Sequence, residues 1–277
     1  MKNLYFFRDI TKEMTDVVGG KGASLGELFR ANIPVPNGFI ITTNVYKEIL
    51  NNSKKLEDFG AEILKFFDEL GVERVAVRSS AVAEDSPLFS WAGQLESYLN
   101  VKKDELLDNV QMCLESIQSS RALEYVKDQN IPVDKLLVAV VIQAMVDSEA
   151  SGIMFSINPL NKNEDEIMIE AGRGLGEMIV QGMITPNNFL IDKKTLQINS
   201  KNISNQQLMM IYKNGETIEM PVPSELKNSP VLQDKEVQEL ARLAIQIEQH
   251  YGTPQDIEWT LVKNKFYILQ SRSITTL

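Results

Sequence analysis

The sequence predicts a mixed helix-and-sheet protein, α/β or α+β, with two lobes and a cleft between them. Three observations carry this. Stretches with helical spacing alternate with short apolar strands in both halves of the chain. The 277 residues suit one large domain or two smaller lobes. The chain closes on two runs of alternating polar and apolar residues, Asp256 to Val262 and Phe266 to Arg272, separated by a polar break that reads as a hairpin.

The elements follow in order. Val17 to Gly22 reads as a glycine-rich loop, and Ala23 to Arg30 has helical spacing. Pro34 to Gly38 is a turn, Phe39 to Thr42 a short strand, and Thr43-Asn44 the cap of the next helix. Residues 54–70 form a further helix. Val75 to Arg78 is a buried strand that opens into a fifteen-residue loop, Ser79 to Gly93. Residues 102–128 are helical, Leu136 to Val146 is a strongly apolar strand, and residues 166–171 are another strand, followed by a glycine-rich turn. Residues 203–224 hold short strands at most. Asp234 caps a helix that runs to His250-Tyr251 and stops at Gly252.

Composition narrows the function classes. Apolar content of 43% and charged content of 24% are those of an ordinary globular protein. A net charge of −10 argues against general binding to nucleic acid or an anionic membrane, while leaving room for a local basic pocket. Cys113 is the only cysteine, so an internal disulfide is impossible and a reducing cytoplasm fits. The first nine residues are too poor in apolar residues for a signal peptide, and no run reaches the ~18 apolar residues of a membrane span.

Chemistry concentrates in a few segments. With a three-residue loop, Lys263-Asn264-Lys265, the closing hairpin sets Val262 opposite Phe266, Glu258 opposite Gln270 and Asp256 opposite Arg272. Trp259, Leu261, Tyr267 and Leu269 then point to a core. A carboxylate and an amide oxygen about 5 Å apart at Cβ, beside a guanidinium, suit Mg²⁺ and a polyphosphate. The alternative is an ordinary hairpin with a solvated charged face. Gly19-Gly20-Lys21-Gly22 lacks the spacing of a Walker A motif, but its glycines permit close approach to an anion and Lys21 adds a mobile charge. A bland glycine turn fits it equally. Arg78 stands where a buried strand meets the long loop, and Gln143 lies near the end of an apolar strand. Glu170 to Glu177 reads as a metal or phosphate site or as a tight connection. His250 is the only histidine and occupies a helix's last turn, a capping place that leaves no histidine for a catalytic triad.

Six blocks occur in a specific order: Gly19 to Leu28, Val77-Arg78-Ser79-Ser80, Trp91-Ala92-Gly93-Gln94, Ala150 to Phe155, Gly174-Leu175-Gly176-Glu177, and Asp256-Ile257-Glu258-Trp259 with Gln270-Ser271-Arg272. Over almost the whole chain this resembles the ATP-binding module of the phosphoenolpyruvate synthase, pyruvate phosphate dikinase and rifampicin phosphotransferase family. The resemblance implies an α+β ATP-grasp fold with ATP between two lobes, here residues 1–100 and 101–277. It also implies Mg²⁺-dependent transfer of the β-phosphoryl group of ATP to a histidine on a separate swivelling domain, with release of AMP. By motif match, Lys21 and Arg78 hold ATP phosphates and Gly93 brings its loop onto them. Ser97 completes that contact, and Gln143 reaches the adenine. Glu258 and Gln270 ligate Mg²⁺, and Arg272 holds the terminal phosphates. Lys21, Arg78 and Arg272 are thus the catalytic candidates, and the loop ending at Gly93, which contains Trp91, is expected to be a lid.

The sequence departs from the family pattern at Val82, Asn187 and Ser273, where threonine, aspartate and proline are usual, and at Arg173, expected to alter the cleft wall. The swivelling histidine domain and the acceptor domain are not matched within this sequence, as expected either of one half of a split enzyme or of a fragment of a longer one. The expectation is therefore a phosphotransferase module that acts on a histidine of a partner protein or domain. The alternatives are the ATP half of an antibiotic phosphotransferase and a non-catalytic ATP-binding regulator.

Overall fold

The computed structural model describes residues 2–82, 96–128 and 136–274. In chain order the elements are β1 (Leu4–Phe6), α1 (Thr15–Arg30), β2 (Gly38–Ile41), α2 (Thr43–Leu50), α3 (Glu57–Leu70), β3 (Val75–Ala81), β4 (Ser97–Val101), α4 (Leu106–Ser116), α5 (Ser120–Asp128) and β5 (Val138–Ala144). There follow β6 (Ala150–Phe155), β7 (Glu166–Arg173), α6 (Glu177–Val180), β8 (Asn187–Asp192), β9 (Ile198–Asn202), β10 (Leu208–Lys213), β11 (Glu216–Pro221), α7 (Asp234–Tyr251), β12 (Gln255–Val262) and β13 (Lys265–Ser273). The mixed helix-and-sheet class expected from the sequence holds. Contacts divide the chain into two units, Met1–Asn32 with Pro36–Met145, and Ile33–Val35 with Val146–Leu277. Among the described residues no helix is long and apolar enough to cross a membrane.

The first unit is built on an antiparallel sheet in the order β1-β2-β5-β3-β4. Alternate residues of a strand face opposite sides. Val75, Val77 and Ala81 of β3, with Val138, Val140 and Ile142 of β5, therefore join one apolar core with Val45 and Tyr46 of α2, Phe59, Ile63 and Phe67 of α3, and Val110, Cys113 and Leu114 of α4. Their neighbours Ala76, Arg78 and Ser80 on β3, and Ala139, Val141 and Gln143 on β5, turn to the other face. There α1 packs so closely that a Cβ added at Gly22 would lie 2.5 Å from Ile40 Cδ1.

The second unit is an antiparallel sheet in the order β13-β12-β6-β7-β8-β9. One face is covered by α7, whose buried Val237, Leu240, Ala241, Ala244 and Ile247 form a single helical stripe. The helix is closed at its start by the Gln233 N–H, which donates to Glu236, and at its end by Gly252, whose N–H reaches Glu248 O from a left-handed conformation. Among the described residues, the strands β10 and β11 pair only with each other, apart from a bridge between Gly174 and Met210.

The structure corrects several expectations. The boundary placed at 100/101 lies at 145/146, because β5 is the central strand of the first sheet and α4 shares its core. The glycine-rich loop is helical: α1 begins at Thr15 and is broken at Gly19, which has φ 72° and ψ 170°. Thr43 caps nothing, since its hydroxyl donates to Asp16 O. The helix expected over 102–128 is two helices, and β3 runs on to Ala81, three residues into the expected loop. The rest of that loop, including Trp91 and Gly93, lies outside the described residues.

Candidate functional site

In the first unit, the candidate residues gather on the α1 face of the sheet. Arg78 on β3 and Ser97 on β4 are direct register partners, and Gln143 on β5 is the partner of Ala76, one alternation along the same face. Gln143 is 2% exposed, and its Nε2 has no hydrogen-bond partner among the described residues. A buried amide donor without an acceptor costs about 1–3 kcal/mol, a cost that a ligand acceptor would remove.

Lys21 reaches this region from α1. It is buried, and its Nζ donates to Ser79 O at 2.9 Å. The next residue, Ser80, contacts the broken part of the same helix. Its Oγ accepts the Gly22 N–H at 3.1 Å and donates to Val18 O at 3.0 Å. The approach leaves no room for a side chain, since a Cβ on Gly19 would lie 2.2 Å from Ser80 O. On the opposite face the Ser79 hydroxyl meets Ser116 Oγ and Cys113 O at 3.1 and 3.2 Å. Burial pushes the Cys113 thiol up to about 11, so it is a neutral packing group at physiological pH.

In the second unit the hairpin pairs the expected residues by a different route. The turn has two residues, Lys263 and Asn264, both at positive φ, which is the turn geometry that matches strand twist. Val262 therefore faces Lys265, not Phe266. A regular ladder would then set Glu258 against Leu269. A β-bulge between Glu258 and Trp259 absorbs Leu269 and restores Glu258 opposite Gln270 and Asp256 opposite Arg272. The core set changes accordingly: Trp259, Leu261, Phe266 and Ile268 are buried, while Tyr267 and Leu269 are only partly so. The Trp259 and Phe266 rings meet edge-on at 5.7 Å.

Glu258, Gln270, Asp256 and Arg272 share the sheet face opposite α7. Arg272 Nε and one terminal nitrogen both donate to Asp256 Oδ2, at 3.0 and 2.8 Å. Even so, burial raises the Asp256 carboxyl above its usual range, with Glu258 adding to the rise and Arg272 opposing it. Direct partners continue the Glu258 row across the sheet through Ile153 to Glu170 and Asn188. Glu170 is likewise raised, by burial and by the charge of Asp256, against a hydrogen bond from Asn188. Glu170 lies within β7 and Glu177 begins α6, so the acids at the two ends of this segment stand on different elements joined by the glycine turn.

Three of the departures from the family pattern, Arg173, Asn187 and Ser273, make side-chain contacts within the second unit. A terminal nitrogen of Arg173 donates to Leu226 O, Ser229 O, Ser229 Oγ and Pro230 O, clasping residues 226–230. Asn187 accepts the Val231 N–H at 2.8 Å, and the Ser273 hydroxyl lies 3.1 Å from that of Thr253. His250 is exposed in the last turn of α7, its ring against Tyr251.

The role of Ser80 escaped sequence reasoning, because its partners on α1 lie about sixty residues away. Periodicity gives a partial signal for Glu170, a charged residue directly after the apolar run Ile167-Met168-Ile169.

The chain matches the family model described as pyruvate phosphate dikinase, AMP/ATP-binding domain, over residues 15–69 and 54–277. It is 39% identical to the probable phosphoenolpyruvate synthase of Methanocaldococcus jannaschii, covering 100% of this chain and 27% of that protein. The phosphoenolpyruvate synthase of Pyrococcus furiosus is 35% identical, covering 98% of this chain and 44% of its own length. The chain thus spans less than half the length of these curated relatives. Among solved structures it is similar to D-alanine–D-alanine ligase from Helicobacter pylori, at 8% identity and a TM-score of 0.41 over 94% of this chain and 54% of that one.

Proposed function

The chain belongs to the family of pyruvate phosphate dikinase AMP/ATP-binding domains, and we propose that it is the ATP-binding module of a phosphoenolpyruvate synthase-like phosphotransferase. In this reading ATP binds with Mg²⁺ in an ATP-grasp arrangement, a histidine of a partner domain or protein attacks the β-phosphorus and displaces AMP, and the γ-phosphoryl group is then lost to water as inorganic phosphate, which leaves the β-phosphoryl group on the histidine. The relatives that support this carry the name phosphoenolpyruvate synthase and are more than twice as long, so acceptor and final substrate belong to sequence beyond this module. The single buried cysteine accords with a cytoplasmic location.

The observation that carries the reading is the register of β12 and β13. It sets a carboxylate opposite an amide oxygen and an aspartate-anchored arginine one alternation further along. Mg²⁺ is typically held by one or two carboxylates together with substrate phosphates, so Glu258 and Gln270 fit as its protein oxygens. Bound there, the ion would neutralise charge on the phosphates. Asp256 fixes Arg272, whose guanidinium attracts the terminal phosphates. In the first unit Lys21 and Arg78 take phosphate oxygens, with Ser97 and Gly93 beside them, and the buried Gln143 amide takes an adenine acceptor. Such fixed charges supply what phosphoryl transfer needs from a protein.

The test has two steps. ATP with Mg²⁺ should raise the melting temperature, and Glu258→Ala should abolish the Mg²⁺-dependent part of that shift while keeping the fold. AMP should then appear rapidly only when a histidine domain from a phosphoenolpyruvate synthase is added. No thermal shift at millimolar ATP, or fast AMP release by the chain alone, would sink the proposal.

A further inference from the structure

In an unbroken helix the Gly22 N–H would bond to Val18 O, four residues back. Both groups instead bond to Ser80 Oγ, which accepts from Gly22 at 3.1 Å and donates to Val18 at 3.0 Å. The hydroxyl of a strand residue is thus inserted into one rung of α1. Side-chain insertion into the ladder is a recognised cause of helix breaks. Its counterpart is Gly19, whose φ of 72° and ψ of 170° only glycine readily adopts. Ser80 is completely buried, so the hydroxyl acts as an internal wedge and solvent cannot replace it. The helix restarts beyond Gly19 with Lys21 in its first new turn, and Lys21 Nζ is held by the carbonyl of Ser79, the neighbour of the wedge.

We propose that Ser80 is a positioning residue for Lys21: by opening α1 it aims the lysine at the phosphates of the nucleotide. This rests on the assignment of Lys21 to phosphate binding. Without the wedge the Gly22 N–H can return to Val18 O, α1 straightens, and Lys21 turns with it. The effect is specific to phosphate, because the adenine contact through Gln143 belongs to β5.

The experiment is a double-mutant cycle on the full chain, with dissociation constants measured for ATP with Mg²⁺ and for adenosine. Ser80→Ala should weaken ATP roughly tenfold, the scale of one or two lost hydrogen bonds, and leave adenosine within about twofold. In the Lys21→Ala background it should add less than about twofold, since the group through which it acts is gone. Ser80→Cys keeps the volume with a poor acceptor and should show the same selectivity, which covers the case in which the alanine variant does not fold. Equal losses for ATP and adenosine, or full additivity with Lys21→Ala, would overturn the positioning role. If Lys21→Ala alone leaves ATP affinity unchanged, the assignment of Lys21 fails and the role of Ser80 falls with it. Loss of affinity in Lys21→Ala but not in Ser80→Ala removes only the present inference.

Discussion

In the first unit the cation Lys21 is held by a contact between segments 58 residues apart, a helix laid on the end of a strand. In the second, Arg272 and Gln270 meet their partners across one two-residue turn. The first arrangement depends on tertiary packing and has no slack, because the helix approaches Ser80 within the space of a single methyl group. The second depends on local register and charge, on a sheet face that leaves Arg272 40% exposed. Damage should therefore appear as lost folding in one region and as lost electrostatics in the other.

The largest effect should come from the packed region. Gly19→Ala places a methyl 2.2 Å from Ser80 O at a φ that L residues avoid. Strain and overpacking together should cost about 2–5 kcal/mol, a large part of a domain's stability. Gly252 has a similar φ of 72° at the end of α7 but nothing among the described residues within 4 Å of its added Cβ, so Gly252→Ala should cost only about 1 kcal/mol. Urea denaturation of both variants gives the ratio. Equal costs would show that the close approach of α1 to β3 contributes nothing.

The next effect belongs to the hairpin and should fall on function more than on folding. Arg272→Ala should weaken binding or turnover of ATP with Mg²⁺ by roughly a hundredfold. It should destabilise by only about 1–2 kcal/mol, less than a fully buried pair, because Arg272 is partly in water. The stability loss comes from leaving Asp256 buried beside Glu258 without its partner, so Asp256→Asn in the same background should recover most of it while ATP affinity stays low. If the second substitution recovers no stability, Asp256 is solvated in the variant, and the anchoring of Arg272 matters less than the geometry implies.

The same contrast decides what could be read before the structure. The hairpin was legible because its residues are neighbours in sequence and its alternation is a period-two signal. Even so, the route differed: a three-residue turn was expected, and a two-residue turn plus a bulge at Leu269 produces the same facing pairs. Bulges leave little trace in a run such as Tyr267-Ile268-Leu269, where every residue is apolar. In the first unit, Lys21 and Arg78 could be named from motif blocks, but their juxtaposition could not. The glycines looked like a loop because glycine is a poor helix former, and only packing against Ser80 and Ile40 explains why glycine is needed inside a helix. The 145/146 boundary was missed for the same reason, since β5 belongs to the first sheet through pairing with β2 and β3, far from it in sequence.

The smallest effect is a pH dependence that should distinguish the regions by its position. The Cys113 thiol of the first unit titrates at about 11, well outside the acidic range. The Glu170 carboxyl of the second unit is raised by burial and by Asp256, so the folded state holds its proton more tightly than the unfolded chain does. Between the unfolded value of about 4.3 and the raised folded value, stability must then fall as pH rises. Glu170→Gln removes this term and also lowers the repulsion on Asp256. Wild type and variant should match near pH 4, and the variant should become more stable above the window. The margin should stay below about 1 kcal/mol, because Glu170 is half in solvent and its repulsion is screened. Asp192, lowered by hydrogen bonds from Thr195, pulls the opposite way in both proteins and cancels in the comparison. Trp259 fluorescence in urea reports the second unit, with Trp91→Phe removing the other tryptophan. A variant that is instead less stable than wild type above the window would mean that Glu170 is held charged by a cation, and that its sheet face is less electronegative than the row from Glu258 to Glu170 makes it.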